Sequence, residues 1–158
     1  MIELKPINWS NFWDVVALKP KHEQTKYIQP ISVFMAESYV NLREKNPDIS
    51  MAIYFNSQLI GFFKIVYIPK FEESYNLTEN SYMIDALIID ESFQGKGYGK
   101  LALKKVIDFI LDFPFGKAKT ISLVCYKQNQ KAINLFHKFN FIKTKPKNKN
   151  MYIYLKKI

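Results

Sequence analysis

The chain of 158 residues is 48% hydrophobic and 16% aromatic, which is enough apolar material for one sizeable core and excludes a disordered chain. Its one cysteine, Cys125, excludes an internal disulfide and argues against a site built from several thiolates, so we expect no metal. The formal net charge of +9 suits a polyanionic ligand, but Arg43 is the one arginine among 23 basic residues, which argues against a nucleic-acid partner.

The sequence predicts a single domain over residues 1–158, located in the cytoplasm. No apolar run reaches the roughly 18 residues of a membrane helix, and Met1 leads into a charged strand instead of a signal peptide. No repeat, linker or low-complexity segment interrupts the chain. We therefore expect no membrane partner.

The N-terminal region predicts a strand followed by two helices. Ile2–Lys5 alternates in hydrophobicity, and the apolar residues from Trp9 to Ala17 recur at helical spacing. Both Trp9 and Trp13 are expected in the core, with the wall of a substrate cleft as the alternative. A second helix is predicted to start with Pro30 in its first turn. The apolar stripe of this helix comprises Ile31, Phe34, Met35, Tyr39 and Leu42.

Three strands are predicted next. Residues 51–55 and 59–68 form a hairpin around Asn56-Ser57-Gln58, and residues 81–89 form the third strand. The link over residues 69–80 carries acidic side chains that we expect to be solvated, with a counter-surface for an amine as the alternative. These side chains are Glu72, Glu73 and Glu79.

Asp85 is the anomaly of the third of these strands. One predicted face carries Tyr82, Ile84, Ala86 and Ile88, and the other carries Met83, Asp85 and Leu87. Burial of an unpaired carboxylate is costly, so Asp85 needs a partner or a wet cleft. Two interpretations stand, an ion pair with a lysine or Arg43, or a base or ammonium anchor at an active site.

A glycine-rich loop follows this strand and precedes a helix. Gly95, Gly97 and Gly99 alternate, so the backbone can adopt positive φ and lie flush against a ligand. The amides of such a loop, at the positive end of a helix, suit a phosphate or pyrophosphate. The spacing fits neither the G-x-G-x-x-G dinucleotide fingerprint nor the P-loop. The side chains expected to add charge or a donor are Gln94, Lys96 and Lys100.

The remaining chain predicts two helices, a strand and a hairpin. A helix stripe ends near Phe113-Pro114, and residues 120–125 form a strand that buries Cys125. Asn129 caps the last helix, and Asn140 takes the left-handed position after it. Residues 141–144 and 151–155 form the final hairpin, with its turn at residues 146–150. The stripe of the last helix comprises Ala132, Leu135, Phe136 and Phe139.

Two motifs resemble those of the GNAT N-acetyltransferases. They are Gln94-x-x-Gly97-x-Gly99, between a strand and a helix, and Asn129-x-x-Ala132-x-x-Leu135-Phe136-x-x-Phe139-Asn140-Phe141. The element order β-α-α-β-β-β-α-β-α-β-β is also that of the GNAT fold. The resemblance implies an α/β (α+β) fold whose mixed, mostly antiparallel central sheet is flanked by about four helices. Gln24-x-x-Tyr27-Ile28 before Pro30, with Asp85 and Ile88-Ile89-Asp90-Glu91, resembles the bacterial spermine/spermidine (diamine) acetyltransferase group.

The resemblance implies transfer of an acetyl group from acetyl-CoA to a primary amine, most simply a small polyamine or diamine. A β-bulge or splay after Leu87 is expected to expose amides that bind pantetheine and polarise the thioester oxygen. The implied acceptor contacts are Tyr27, Glu37 and Asp85, although Glu37 lies off its helix stripe and is expected to be solvated. Asp85 is also the candidate base. The implied coenzyme contacts are Leu87, Ile88, Ile89, Gln94, Gly95, Lys96, Gly97, Tyr98, Gly99, Lys100 and Asn129.

Phe136 departs from the family. It stands where the family has a tyrosine acid, and phenylalanine has no proton to give to the departing thiolate, so water or a hydroxyl such as that of Tyr126 would have to replace it. One alternative function is therefore an acyl-CoA-binding protein without turnover, acting as a sensor or partner module. Others are acetylation of an aminoglycoside or of a protein N-terminus. The aromatic core is compatible with a homodimer.

Overall fold

The computed structural model of the protein describes residues 1–70 and 77–158. Within these residues, a seven-stranded sheet has the order β1-β2-β3-β4-β5-β7-β6, in which β4–β5 is the one parallel pair. The strands are β1 (Ile2–Pro6), β2 (Asp48–Phe55), β3 (Gln58–Ile68), β4 (Ser81–Ile89), β5 (Thr120–Tyr126), β6 (Ile142–Asn148) and β7 (Met151–Lys157). The helices are α1 (Phe12–Ala17), α2 (Ile31–Glu44), α3 (Tyr98–Leu111) and α4 (Gln130–Lys138). This mixed, mostly antiparallel sheet with four α-helices confirms the predicted fold class.

Two apolar layers cover the two faces of the sheet. Successive side chains of β3 alternate between them, so that Phe62 lies in one layer and Phe63 in the other. Helices α3 and α4 cover the Phe63 face, and α1 and α2 cover the Phe62 face. Burying one such phenylalanine contributes about 1.5–3 kcal/mol to the free energy of unfolding. The two layers therefore hold the sheet firmly, and the sheet in turn positions the loops at its edges. Among the described residues, no helix is long and apolar enough to cross a membrane.

Both predicted hairpins are present, but their turns are shorter than predicted. Asn56 and Ser57 have φ values of 47° and 66°, which closes a two-residue turn, and Gln58 already belongs to β3. Strand β6 continues through Pro146 to Asn148, because this edge strand tolerates proline where its register with β7 is irregular.

The expectation that both N-terminal tryptophans lie in the core is wrong. Trp9 precedes α1, and the side chains of Trp9 and Trp13 are 83% and 70% exposed. The six-residue helix α1 buries Val15 against the sheet, so the predicted stripe faces away from the core. Trp9 and Phe12 instead line an open pocket of about 350 Å³ beside α2.

The second half of α2 also differs from its predicted stripe. Tyr39 and Leu42 are 65% and 74% exposed, and the buried apolar residues of the helix are Ile31 and Phe34. Polar contacts join this half of the helix to β2 in place of apolar ones. They are the 3.0 Å contact between the Ser38 and Ser50 hydroxyls and the 2.7 Å bond donated by Asn41 to Asp48.

Strand β4 bulges at Asp85. The register between β3 and β4 skips this residue, so it has no partner on β3. The extra residue shifts the alternation of side chains, so that the even-numbered side chains before it lie in the α3 layer and the even-numbered side chains after it lie in the α1–α2 layer. The prediction of one shared face is therefore wrong. Tyr82 and Ile84 precede the bulge, and Ala86 and Ile88 follow it.

Candidate active site

Strands β4 and β5 separate in the middle of the sheet. They pair over Ser81–Met83 and Thr120–Ser122, and no pairing between them follows in the described ranges. The remainder of β4, up to Ile89, therefore faces a gap. The splay begins earlier than the predicted point after Leu87, because the pairing stops two residues before the bulge at Asp85. Backbone groups in such a gap can bind an extended ligand as an additional strand would.

The glycine loop forms the end of this gap. Gly95 and Gly97 have φ values of 83° and 84°, and Gly97 is the N-cap of α3. The backbone N–H groups of residues 95–99 donate no hydrogen bond to any residue that the structure describes. These amides and the positive end of the 14-residue helix α3 form a surface suited to an anion. The Tyr98 ring contacts Phe55 and Phe93, so Tyr98 contributes packing as well as its amide.

Asp90 fixes the start of this loop. Its carboxylate accepts hydrogen bonds from the Ser92 amide at 3.1 Å and from the Lys19 amide at 3.2 Å, as well as from the Ser92 hydroxyl. Burial on its own would raise the pKa of the Asp90 carboxyl, but these hydrogen bonds hold it below its usual value. This anchoring role escaped the sequence analysis, because Lys19 is far from Asp90 in the chain.

Gln94 also supports the loop. Its side-chain nitrogen donates to Gln24 Oε1 and to the Ile89 carbonyl, both at 2.8 Å, and its backbone N–H donates to Glu91. Both amide hydrogens are therefore engaged, which corrects the predicted role of this side chain as a donor to a ligand. Gln94 instead ties the loop to the 3₁₀ helix His22–Tyr27. Lys96 donates to the Ser92 carbonyl at 3.0 Å.

Asp85 lies in a cluster with one lysine and two further carboxylates. Lys64 Nζ lies 3.0 Å from Asp85 Oδ2, 3.1 Å from Glu37 Oε2 and 3.8 Å from Asp48 Oδ2. The Lys64 side chain is 2% exposed, whereas those of Asp85 and Glu37 are 27% and 44% exposed. An ion pair of Asp85 with a lysine is thus observed, and Glu37, expected to be solvated, is half-buried and paired.

The charges of this cluster shift two pKa values. Burial raises the pKa of the Asp85 carboxyl; Lys64 opposes this shift, and the negative charges of Glu37 and Asp48 add to it. Burial on its own would lower the pKa of the Lys64 ammonium, but the interactions with Asp85 and Glu37 outweigh it and raise that pKa. Asp85 is therefore a better proton acceptor than an exposed aspartate, beside a lysine whose charged form is favoured.

An open pocket of about 360 Å³ lies beyond the end of β5. Its lining residues are Lys26, Tyr27, Tyr126, Gln128 and Asn150, contributed by three separate segments of the chain. The rings of Tyr27 and Tyr126 are half-buried, with centroids 5.6 Å apart. This pocket therefore brings a predicted acceptor contact beside the hydroxyl considered as a replacement for the missing acid.

Phe136 is partly buried and packs against the α3–α4 layer. Its ring lies 5.9 Å from that of Phe141 and 6.5 Å from that of Tyr154, between centroids. Asn129 caps α4 as predicted, since its side chain accepts from the Ala132 amide at 3.3 Å. Burial raises the pKa of the Cys125 thiol to about 11, which excludes a reactive thiolate there at neutral pH.

Two of the remaining predictions concern acidic side chains and metals. Glu72 and Glu73 lie outside the described residues, whereas Glu79 is described and exposed. In the described parts of the chain, no three His, Cys, Asp or Glu side chains are arranged so that they could hold a metal ion. The sequence analysis missed Lys64. The one signal available in the sequence is that this lysine stands inside an otherwise apolar strand.

Comparison with known proteins agrees with this geometry. The sequence model of the acetyltransferase (GNAT) family matches residues 13–141. The spermine/spermidine N(1)-acetyltransferase of Bacillus subtilis is 27% identical over 140 residues, which cover 89% of this chain and 87% of that protein. Two solved structures share the fold. They are PaiA N-acetyltransferase of Thermoplasma acidophilum with coenzyme A (TM-score 0.68, 15% identity, 100% and 99% of the two chains) and spermidine N-acetyltransferase of Vibrio cholerae with CoA and spermine (TM-score 0.69, 17% identity, 99% and 94%).

Proposed function

As a member of the acetyltransferase (GNAT) family, to which this chain belongs, the protein is an acetyl-CoA-dependent N-acetyltransferase, and we propose that its acceptor is a small polyamine. The carboxylate cluster at the β4 bulge carries this proposal, because three acidic side chains meet one lysine there. On a chain with a formal net charge of +9, such a local excess of negative charge is what attracts a polycation. The name of the Bacillus subtilis relative supports the same acceptor class.

Coenzyme A is proposed to lie along the splay with its pyrophosphate at the glycine loop. The free amides of residues 95–99 supply the hydrogen bonds, and Lys96 and Lys100 supply positive charge. The backbone of Leu87–Ile89 faces the gap and is proposed to bind the pantetheine arm. Asn129, at the start of α4, is proposed to contact the same arm.

Asp85 is proposed to accept the proton of the attacking amine, directly or through water. A primary amine has a pKa near ~10 in water, so it arrives protonated and must lose a proton before its nitrogen attacks the thioester carbon. The C–S bond then breaks, the acetyl group passes to the nitrogen, and the second proton that this nitrogen loses neutralises the departing thiolate, directly or through solvent. The coenzyme thiol, with a pKa near ~8.5, leaves as a thiolate at pH 7 for about 2 kcal/mol.

We expect the acceptor to be identified by a panel assayed with saturating acetyl-CoA. Spermidine and spermine should give kcat/KM values about 10-fold or more above that of n-butylamine, which has one ammonium and tests the contribution of the second charge. Thiol release and the mass of the acetylated product are the measurements. An aminoglycoside or a peptide N-terminus that outperforms both polyamines would overturn the proposed acceptor.

Phe136→Tyr should raise kcat, because it places a hydroxyl at the family position of the acid. A gain of up to ~10²-fold is the most that general-acid assistance predicts, and it shrinks if amine attack or product release limits the rate. Tyr126→Phe should lower kcat if Tyr126 supplies the proton in the wild type, and Phe136→Tyr should then rescue it.

The matched control for these variants is Tyr39→Phe, which removes an exposed hydroxyl from α2. Steady-state kcat is measured with the same acceptor for five proteins: the wild type, the two single variants, the double variant that tests rescue, and the control. If the wild type turns over at a robust rate, and neither Tyr126→Phe lowers kcat nor Phe136→Tyr raises it, then no general acid is needed at either position.

A further inference from the structure

Lys64 is a buried charge to which the proposed reaction assigns no step. It is the one lysine buried among the described residues, and it projects from β3 into the layer covered by α2. Its Nζ lies 5.9 Å from the centroid of the Phe34 ring, which shields it from one side. Burying an ammonium is costly unless it is paired and hydrogen-bonded. Its carboxylate partners therefore have to account for its position.

These partners are more numerous than neutralisation of Lys64 requires. Asp85 comes from β4, Glu37 from α2 and Asp48 from β2, so three elements direct negative charge at one ammonium. A purely structural pair would be complete with one carboxylate. The surplus negative charge, together with the 27% exposure of Asp85, distinguishes this arrangement from a closed core ion pair.

The bulge makes the position of Asp85 depend on Lys64. Because β3 offers Asp85 no backbone partner, the strand register alone does not fix this residue. Lys64 itself pairs with Ala86, the residue directly after the bulge. Its ammonium therefore reaches the Asp85 carboxylate from the adjacent strand, at 3.0 Å.

We propose that Lys64 is a positioning residue for the acetyl transfer: it holds the Asp85 carboxylate at the splay and, with Glu37 and Asp48, fixes the pH range in which that carboxylate is ionised. This inference rests on the proposed role of Asp85. It adds a residue that touches neither acetyl-CoA nor the amine and acts through Asp85.

The sign of each charge gives the direction of its effect. The charged groups that face Asp85 are Lys64 on β3, Glu37 on α2 and Asp48 on β2. Removing a negative neighbour favours the ionised carboxylate and lowers its pKa, whereas removing the positive neighbour raises it. Activity needs the ionised form, so the acidic limb of the kcat–pH profile should follow the pKa of Asp85.

The experiment measures kcat against pH with saturating acetyl-CoA and spermidine. Glu37→Gln and Asp48→Asn should each move the acidic midpoint to lower pH, and Lys64→Met should move it to higher pH by about one unit or more. Lys104→Met is the matched control, because it removes a lysine from an exposed pair with Asp108 on α3. Its midpoint should equal that of the wild type.

Asp85→Asn separates this inference from the role of Asp85 itself. If the acidic limb persists in Asp85→Asn, the proposed role of Asp85 is wrong. If the limb disappears in Asp85→Asn but stays in place in Glu37→Gln and Asp48→Asn, the inference about the cluster alone is overturned. These two conservative variants decide the outcome even if Lys64→Met fails to fold. Opposite shifts of the acidic midpoint in the lysine and carboxylate variants would support the proposal. A purely structural role predicts that these variants lose stability but keep the midpoint of the wild type.

Discussion

Gly97→Val should raise the Kd for acetyl-CoA by about 10²-fold while the protein remains folded. Gly97 has a φ of 84°, which a β-branched residue adopts only at a cost of about 1–3 kcal/mol. An added Cβ would meet no atom within 4 Å, so the effect comes from the backbone and not from a clash. Relaxation of the strain reorients the neighbouring amides. Losing two hydrogen bonds to a charged pyrophosphate, at about 1.5–3 kcal/mol each, accounts for the weaker binding.

Gly116→Val is the matched control for this strain. Gly116 also has a positive φ, of 120°, but it lies in the connection between α3 and β5. Both variants should unfold at a lower temperature than the wild type, and Gly97→Val alone should lose affinity. Calorimetric titration gives the Kd, and circular dichroism shows whether the fold is retained. A Gly97→Val protein that binds acetyl-CoA as tightly as the wild type would refute the assignment of the loop.

Asp85→Asn should lower kcat/KM for the amine by about 10²-fold and leave the Kd for acetyl-CoA unchanged. The substitution keeps the shape of the side chain and removes its capacity to accept a proton at neutral pH. A 10²-fold loss corresponds to about 2.7 kcal/mol of transition-state stabilisation.

The control for Asp85→Asn is Asp108→Asn, which removes an exposed carboxylate from α3. Initial rates with varied spermidine give kcat/KM, and calorimetry gives the affinity for acetyl-CoA. An Asp85→Asn protein within twofold of the wild type would show that the ion pair with Lys64 is structural and that another group or water takes the proton.

The features predicted correctly from the sequence depend on short stretches of chain. The glycine loop needs only its own backbone freedom and the helix that follows, and the cap at Asn129 needs only the next three residues. Asn140 likewise takes the predicted left-handed conformation, with a φ of 62°. Local backbone chemistry determines each of these, so the residues that carry it can be recognised without the fold.

The features that were missed depend on contacts between distant segments. The bulge was predicted after Leu87 but lies at Asp85, because a mismatch in register between β3 and β4 sets its position and nothing inside β4 alone reveals it. Lys64 meets Glu37 and Asp85 across three elements, so its partners follow only from the assembled sheet. Trp13 was misplaced for a similar reason, because helical spacing defines a stripe but not which side of a short helix the sheet covers.

Thiol release from acetyl-CoA, coupled to mass measurement of the amine product, tests the assigned reaction most directly. With wild-type protein and spermidine, we predict one free coenzyme A thiol for each acetyl group gained by the amine, at a rate that saturates with both substrates. Tight binding of acetyl-CoA without any acetylated product, on polyamines, aminoglycosides and peptides alike, would contradict it and indicate an acyl-CoA-binding protein without turnover.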